Sequence, residues 1–346
     1  MDAIDLRSDT MTRPDAAMRR AMADAEVGDD VWREDPTVRR LEEESAAAMG
    51  MAAALFVPSG IMGNSLGLGL HAPRGSEILC DHRAHILYYE SGAPAAIWGL
   101  LGRPLPSVDG LPSLDTFRAA YSTREGQRVP TGVIALENSH NVAGGRVYGR
   151  DRLAPIVAFA RERAIPLHLD GARIWNAAVA LETTPAKLVE GFTTVSFCLS
   201  KGLGAPVGSL LCAAADAIEE ARDRRRLLGG AMRQAGVLAA AGLVALRDGP
   251  GRLALDHRHA GLLAEAAAAN DGLEIDLATV ESNIVIFRVR RRPGETEPGN
   301  RWVVEAEREG VLSSTMSADE VRLVTHRDLD RAAIDRACDV IRRLAA

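Results

Sequence analysis

Pro166-Leu-His-Leu-Asp-Gly-Ala-Arg173 and Thr194-Val-Ser-Phe-Cys-Leu-Ser-Lys-Gly-Leu-Gly-Ala-Pro206 decide the fold. Each opens with a short apolar, β-rich run (Pro166–Leu169, Thr194–Leu199) and breaks into small and polar residues. Four runs of the same kind surround them: Ala54–Val57, Glu77–Cys80, Gly132–Leu136 and Gly208–Ala213. Helix-like stretches at Thr37–Met49, Gly63–Leu70, Arg152–Arg163 and Thr184–Glu190 lie between several of them. Strands that are apolar on both faces and bounded by helices predict an α/β unit, with a mainly parallel sheet covered on both sides.

This large unit is expected over residues 1–240, and a smaller unit over 241–346. Gly236–Asn270 is rich in alanine and leucine and favours helix, and Gly249-Pro250-Gly251 divides it into two helices. Strands at Ile284–Val289 and Val321–Thr325 and helices at Asn300–Arg308 and Leu329–Leu344 make a compact C-terminal α+β unit. Arg290–Asn300, with its prolines and glycines, reads as an exposed loop.

The composition narrows the function classes. The 346 residues carry 41 Lys and Arg against 47 Asp and Glu, a formal charge of -6, which argues against a nucleic-acid binder. The run Arg222–Arg226 reads as a solvated helix face. Cys80, Cys198, Cys212 and Cys338 form no CxxC pair, so no metal or redox motif is expected. No apolar stretch reaches the ~18 residues of a membrane span, and Met1–Arg13 shows no apolar signal region. A soluble, cytoplasmic protein is expected.

Two readings stand beside each chemical candidate. Lys201 follows a strand and precedes a glycine-rich turn. It is either a surface lysine or one that forms a Schiff base, with the glycines leaving room for a planar cofactor. Asp170 ends a strand, where open α/β sheets place ligands. It either caps a helix or pairs with a pyridinium nitrogen. The 31-residue spacing to Lys201 fits one strand–helix–strand unit and puts both residues on one rim of the sheet. Pro58-Ser-Gly-Ile-Met-Gly-Asn64 is either a plain strand-to-helix turn or a phosphate site at a helix N-terminus. His85 and His140 fall on the same rim, as polar loop residues or as groups that stack on a ring or move protons. His71, His257 and His259 read as solvated loop histidines.

Taken together the segments resemble the low-specificity L-threonine aldolases, in the β-eliminating lyase branch of the fold-type I pyridoxal-phosphate enzymes. The resemblance runs over nearly the whole chain. It includes Asp5-Leu-Arg-Ser-Asp-Thr10, Gly28-Asp-Asp-Val31, Phe56-Val-Pro-Ser-Gly60, Glu137-Asn138 with His140, Asp170-Gly-Ala-Arg173, Leu199–Gly208, Leu228-Gly-Gly230 and Val324-Thr-His326. It implies the fold-type I transferase-like fold and pyridoxal 5'-phosphate as cofactor. Lys201 matches the Schiff-base lysine, Asp170 the partner of the pyridine nitrogen, and His85 the histidine stacked on the ring. Ser59 and Gly60 match the phosphate cradle. Ile61 stands in that cradle where threonine is common. Ser8, Arg173 and Arg322 match the group that holds the substrate carboxylate, and His140 a histidine near the β-hydroxyl. Trp32-Arg33 replaces a common Tyr-Gly near the substrate entrance, and the His85–His140 spacing is longer than usual between Pro104 and Pro130.

The implied activity is reversible cleavage of L-threonine, L-allo-threonine or a related β-hydroxy-α-amino acid to glycine and an aldehyde, with His85, His140 or a water as base. The implied assembly is a homo-oligomer, at least a dimer, with a tetramer expected. Competing readings are β-elimination or transaldolation on another amino acid, a cofactor-binding scaffold, and a hydride-transfer enzyme. Intact Lys201 and Asp170 argue against the scaffold, and the missing glycine fingerprint argues against hydride transfer.

Overall fold

The computed structural model describes residues 3–124 and 127–344. Residues 125 and 126 of the long Pro104–Pro130 segment, and the chain's first two and last two residues, lie outside the described part. Among the described residues the strands are β1 (Ile4–Asp5), β2 (Ala53–Val57), β3 (Glu77–Asp81), β4 (Leu101–Leu105), β5 (Thr131–Glu137), β6 (Leu167–Asp170), β7 (Thr194–Cys198), β8 (Ser209–Ala213), β9 (Leu273–Glu274), β10 (Ile284–Val289), β11 (Val311–Leu312), β12 (Ser314–Thr315) and β13 (Glu320–Val324).

Strands β2 to β8 form one seven-stranded sheet in the order β2-β8-β7-β6-β5-β3-β4. All neighbours are parallel except at β8, which runs antiparallel to both β2 and β7. The all-apolar reading of these strands holds because both faces are covered: every residue of β3, β7 and β8 is buried. Strand β4 gave no sequence signal. It is an edge strand with Pro104 inside and mostly exposed side chains, the one place in a sheet where proline's missing N–H does no harm.

The helix Pro36–Met49 shows how local chemistry sets its limits. Asp35 caps it through Oδ1, which accepts from the Thr37 and Val38 N–H groups at 3.1 and 3.0 Å. Gly50, at φ 63°, closes it in the left-handed conformation. Between these ends Val38, Leu41, Ser45 and Met49 bury one stripe. The two alanine-rich helices, Gly236–Asp248 and Pro250–Ala268, meet at Gly249 as the sequence indicated.

The C-terminal unit is a four-stranded antiparallel sheet in the order β12-β13-β10-β9, backed by the helices Pro250–Ala268 and Pro298–Arg308, with Arg331–Arg343 packed on the first of them. Its core centres on Phe287 and Trp302, whose rings meet edge to face at 5.0 Å. Ile4 and Leu6 are part of this same core, because β1 pairs in parallel with β11. The N-terminal segment is therefore anchored on the C-terminal unit, and residues 8–12 lead from there toward the large sheet.

Two expectations about charged residues are corrected. Arg222–Arg226 is not simply a solvated face. Arg225 is 1% exposed and donates to Phe56 O and Asp30 Oδ2, both at 2.6 Å, while Arg222 pairs with Glu42 at 2.9 Å. Nor are His71, His257 and His259 loop residues: all three lie in helices, and His259 is buried.

Asp256, in the helix Pro250–Ala268, is fully buried and neither carboxylate oxygen has a hydrogen-bond partner among the described residues. Arg252 Nε stays 3.7 Å away. Burial, reinforced by the charge of Asp9, pushes its pKa from 3.8 to about 7. The folded state thus keeps a proton that the unfolded chain releases near pH 4. Stability from this group is lost as pH rises from about 4 toward about 7. Asp256→Asn is expected to remove that fall, so the variant should be more stable than the parent by ~1–4 kcal/mol at pH 8 and closer to it at pH 4.5. Urea unfolding at the two pH values measures this, and equal differences at both would refute it.

Candidate active site

The carboxyl ends of the parallel strands carry Asp81 (β3), Glu137 (β5) and Asp170 (β6) on one rim, and the turn after β7 carries Lys201. That turn is tight. Gly204 N–H donates to Lys201 O at 2.8 Å, and Ala205 N–H to Leu199 O at 3.0 Å. Gly204 adopts φ +83°, and a Cβ there would come within 2.3 Å of Arg327 Cδ, so this position requires glycine.

Lys201, Asp170, His85, Ser59, Gly60 and Ile61 all line one cavity of about 390 Å³. Ser59 caps the helix Gly60–His71, its Oγ accepting from the Met62 N–H at 3.2 Å. The first N–H groups of that helix have no intrahelical partner and form the positive end of its dipole. The Ile61 side chain is exposed, so its backbone alone serves the cradle. A larger groove of about 1110 Å³ runs between the 106–116 segment, the 142–146 loop and the C-terminal sheet, but Lys201, His85 and Asp170 do not line it.

Asp170 is almost fully buried. Burial raises its pKa, but the charges of His85 and Lys201 and the Ala172 N–H, 3.0 Å from Oδ1, outweigh that and leave it below the ordinary carboxylate range. It is therefore an anion aimed into the cavity. His85 meets Glu90 Oε1 through Nδ1 at 2.9 Å, and its ring lies 5.4 Å from that of Tyr89. Burial lowers its pKa, yet Glu90, Asp170 and Glu137 raise it further, for a net upward shift. This donor set fits pyridoxal 5'-phosphate. It offers an amine for the aldehyde, an ionised carboxylate for the pyridine nitrogen, an imidazole for the ring and a helix N-terminus with a serine hydroxyl for the phosphate.

Ser8, Arg173 and Arg322 do not line that cavity. They gather beside it, joined through Thr10, which lines it and donates to Ser8 Oγ at 2.9 Å. At their centre is Asp9, which sequence reasoning missed. Arg173 places Nε on Asp9 Oδ2 at 2.8 Å and Nη2 on Oδ1 at 2.7 Å, with both residues buried. Burial alone would raise the Asp9 carboxyl, but the guanidinium holds it down at about 2. Arg322 has no such partner. Its Nη1 donates to Asn141 Oδ1 at 3.0 Å and its Nη2 to Arg7 O at 3.2 Å, while Nε is buried and unpaired among the described residues. Burial and the neighbouring charge of Arg173 push its pKa down. Of the two arginines, Arg322 carries the uncompensated charge.

His140 lies elsewhere. Its ring is wholly buried, Nδ1 accepts from the Ala143 N–H at 3.2 Å, and Nε2 faces Asp81 Oδ1 at 3.2 Å. Nδ1 is taken by that hydrogen bond, whereas Nε2 lies at ion-pair distance from the Asp81 carboxylate without a hydrogen-bond partner among the described residues. Other residues missed from the sequence are Glu90, Asn64, Asn141 and His168. Two had a signal: Asn64 closes the quoted Pro58–Asn64 turn, and His168 stands two before Asp170, hence on the same face of β6.

The sheet, the lysine turn and the buried aspartate have the architecture of the fold-type I pyridoxal-phosphate enzymes. The model of the β-eliminating lyases matches residues 5–290, and the chain belongs to that family. It is 41% identical over 338 residues to low-specificity L-threonine aldolase 1 of Arabidopsis thaliana, covering 95% of this chain and 92% of that one. It is 38% identical over 329 residues to the low specificity L-threonine aldolase of Escherichia coli K12, covering 95% of each. Among solved structures it resembles the threonine aldolase of Leishmania major, with a TM-score of 0.82 at 20% identity over 99% of this chain and 100% of that one.

Asp9→Ala leaves the Arg173 guanidinium buried without its counter-charge. The expected loss of unfolding free energy is ~3–5 kcal/mol, with a smaller loss for Asp9→Asn, whose amide oxygen still accepts. Chemical denaturation of the three proteins at pH 7 tests this, and a loss under ~1 kcal/mol for the alanine variant would show that water replaces the carboxylate.

Proposed function

We propose that the protein is a carbon–carbon lyase of the threonine aldolase type, which cleaves L-threonine, L-allo-threonine or a related β-hydroxy-α-amino acid to glycine and an aldehyde. The observation that carries this reading is the convergence of Lys201, Asp170 and His85 on one cavity, with Arg322 unbalanced beside it. Pyridoxal 5'-phosphate, held by Lys201, Asp170, His85 and the Ser59–Ile61 helix start, supplies the electron sink for the pair released from the Cα–Cβ bond.

The protein's own groups do the rest. Arg322 takes the substrate carboxylate, since its charge is unmatched while that of Arg173 is matched by Asp9. Arg173 and Ser8 then act by holding Asp9 and Asn141 in place. A fixed carboxylate restricts rotation about the bond to Cα, so the Cα–Cβ bond keeps one orientation. His85 lines the cavity, its Nε2 has no hydrogen-bond partner among the described residues, and that nitrogen takes the β-hydroxyl proton; His140, wholly buried with Nε2 against Asp81, supports the Asp81–Glu137 rim instead. Asp170 stays ionised throughout. A proton delivered to Cα completes glycine.

The chain is organised as a cofactor-binding unit reaching to about residue 240 and a C-terminal unit that also takes up β1. The protein acts as a homo-oligomer, a dimer at least. Trp32, Tyr88 and Leu227, at 74%, 66% and 79% exposure, are among the large exposed side chains available for such a contact. No helix among the described residues is long and apolar enough to cross a membrane, in keeping with a cytoplasmic enzyme that meets small amino acids and aldehydes.

Incubation with L-threonine, L-allo-threonine and L-phenylserine should yield glycine with acetaldehyde or benzaldehyde, and borohydride should fix the cofactor on Lys201. 2-Oxobutyrate from either threonine, or phenylpyruvate from phenylserine, with ammonia in place of glycine would sink the reading in favour of elimination. Arg322→Gln should raise KM for L-threonine by ~10–100-fold, the worth of a charged hydrogen bond. An unchanged KM would return the carboxylate to Arg173.

A further inference from the structure

Glu90 is 1% exposed and sits at the centre of a chain of buried hydrogen bonds. Its Oε1 meets His85 Nδ1 at 2.9 Å and Asn64 Nδ2 at 2.8 Å, and its Oε2 has no partner among the described residues. The same Asn64 nitrogen reaches Asp170 Oδ2 at 2.8 Å. One amide group thus gives its two N–H bonds to two carboxylates. Asn64 Oδ1 is taken in turn by His168 Nε2 at 3.2 Å, and His168 Nδ1 lies 2.8 Å from Thr194 Oγ1. His168 is fully buried, which pushes its pKa down to about 4. It is neutral; two carboxylates hold the Asn64 amide with its nitrogen toward them, so its oxygen faces His168 and calls for the ring proton on Nε2.

We propose that Glu90, set in place by Asn64 and His168, is a positioning residue that fixes the tautomer of His85: one proton is held between Nδ1 and Oε1, and Nε2 is left bare to take the β-hydroxyl proton. The inference rests on the aldolase reading above and deepens it. An ionised carboxylate only accepts, so the bond to Glu90 places a hydrogen on Nδ1, and a neutral imidazole then carries its lone pair on Nε2. When Nε2 gains a proton, the imidazolium already faces a carboxylate that it need not reorganise to meet. The other groups facing His85 are Asp170 and Glu137, which favour the added proton, Lys201, which opposes it, and the Tyr89 ring. Glu137 also accepts the His85 backbone N–H at 2.9 Å, which fixes where the ring starts. Burial and the charge of Asp170 raise Glu90 in its turn, so of the two carboxylates that share Asn64 it is Glu90 that shares the proton and Asp170 that stays charged.

The test begins with the cofactor-free wild-type protein. Nitrogen-15 NMR of labelled histidines, with His85→Gln and His168→Gln spectra for assignment, should show neutral His85 protonated on Nδ1 and His168 protonated on Nε2. In Glu90→Gln the amide oxygen still accepts from Nδ1 while the charge is gone. The His85 pKa should then fall by about one unit, and the acid limb of kcat/KM against pH should move down by the same amount. Turnover of L-threonine should fall ~10–100-fold, as for other groups that orient a histidine. A wild-type His85 protonated on Nε2, or a Glu90→Gln pH profile that superimposes on the parent, would overturn the proposal. Failure of the aldolase reading would appear separately, as missing glycine, because the tautomer is read without substrate or cofactor.

Discussion

The buried pair between Asp9 and Arg173 is the interaction on which the rest of the molecule turns. Asp9 belongs to a segment anchored on the C-terminal unit through Ile4 and Leu6, whereas Arg173 follows β6 of the large sheet. Their fork of two bonds crosses from one unit to the other. Asn283, at the start of β10, adds a third bond to Asp9 at 3.3 Å, and Asn141 takes hydrogens from both Arg173 and Arg322. A charge pair this deeply buried does not hold the fold together by surplus energy, since desolvation offsets most of the attraction. It fixes a geometry, because two parallel bonds between a planar guanidinium and a carboxylate hold both groups in one relative orientation. The consequence for chemistry is electrical. Two arginines and one aspartate leave a single positive charge, on Arg322, and the proposed aldolase function assigns that charge to the substrate carboxylate.

The cavity next to it is arranged by the same logic with the opposite sign. Asp170 and Glu90 lie within reach of one amide nitrogen, too close for both to be indifferent to each other's charge. Asn64 separates their roles, with neutral His168 behind it. His168 in turn is packed so tightly that a Cβ on Gly67 would fall 2.5 Å from its ring. The positions of Asn64 and Glu90 are thus tied to a histidine packed against the helix Gly60–His71.

Much of this was legible in the sequence. The β6 and β7 runs revealed a parallel sheet because a strand buried on both faces must be apolar throughout, and that property is local. Lys201 and Asp170 were legible because strand ends and glycine-rich turns place them on one rim whatever lies around them. The run Arg222–Arg226 was misread for the opposite reason. Its residues look alike in sequence, and only the approach of Asp30 and Phe56 O buries Arg225 alone. Strand β4 escaped because an edge strand with exposed side chains has no hydrophobic pattern to show.

The sequence by itself determined the class of fold, the placement of Lys201 and Asp170 on one rim of the sheet and the break between the two alanine-rich helices, since each rests on the residues within a single element and its cap or turn. The tertiary structure alone decided how charge is shared. That Arg173 is neutralised and Arg322 is not, that His140 is closed in between Asp81 and Ala143 while His85 faces the cavity, and that Glu90 backs His85 all depend on partners far apart along the chain. The energy of a charge is set by the nearest opposite charge and the loss of water around it, and folding fixes both only when distant segments meet.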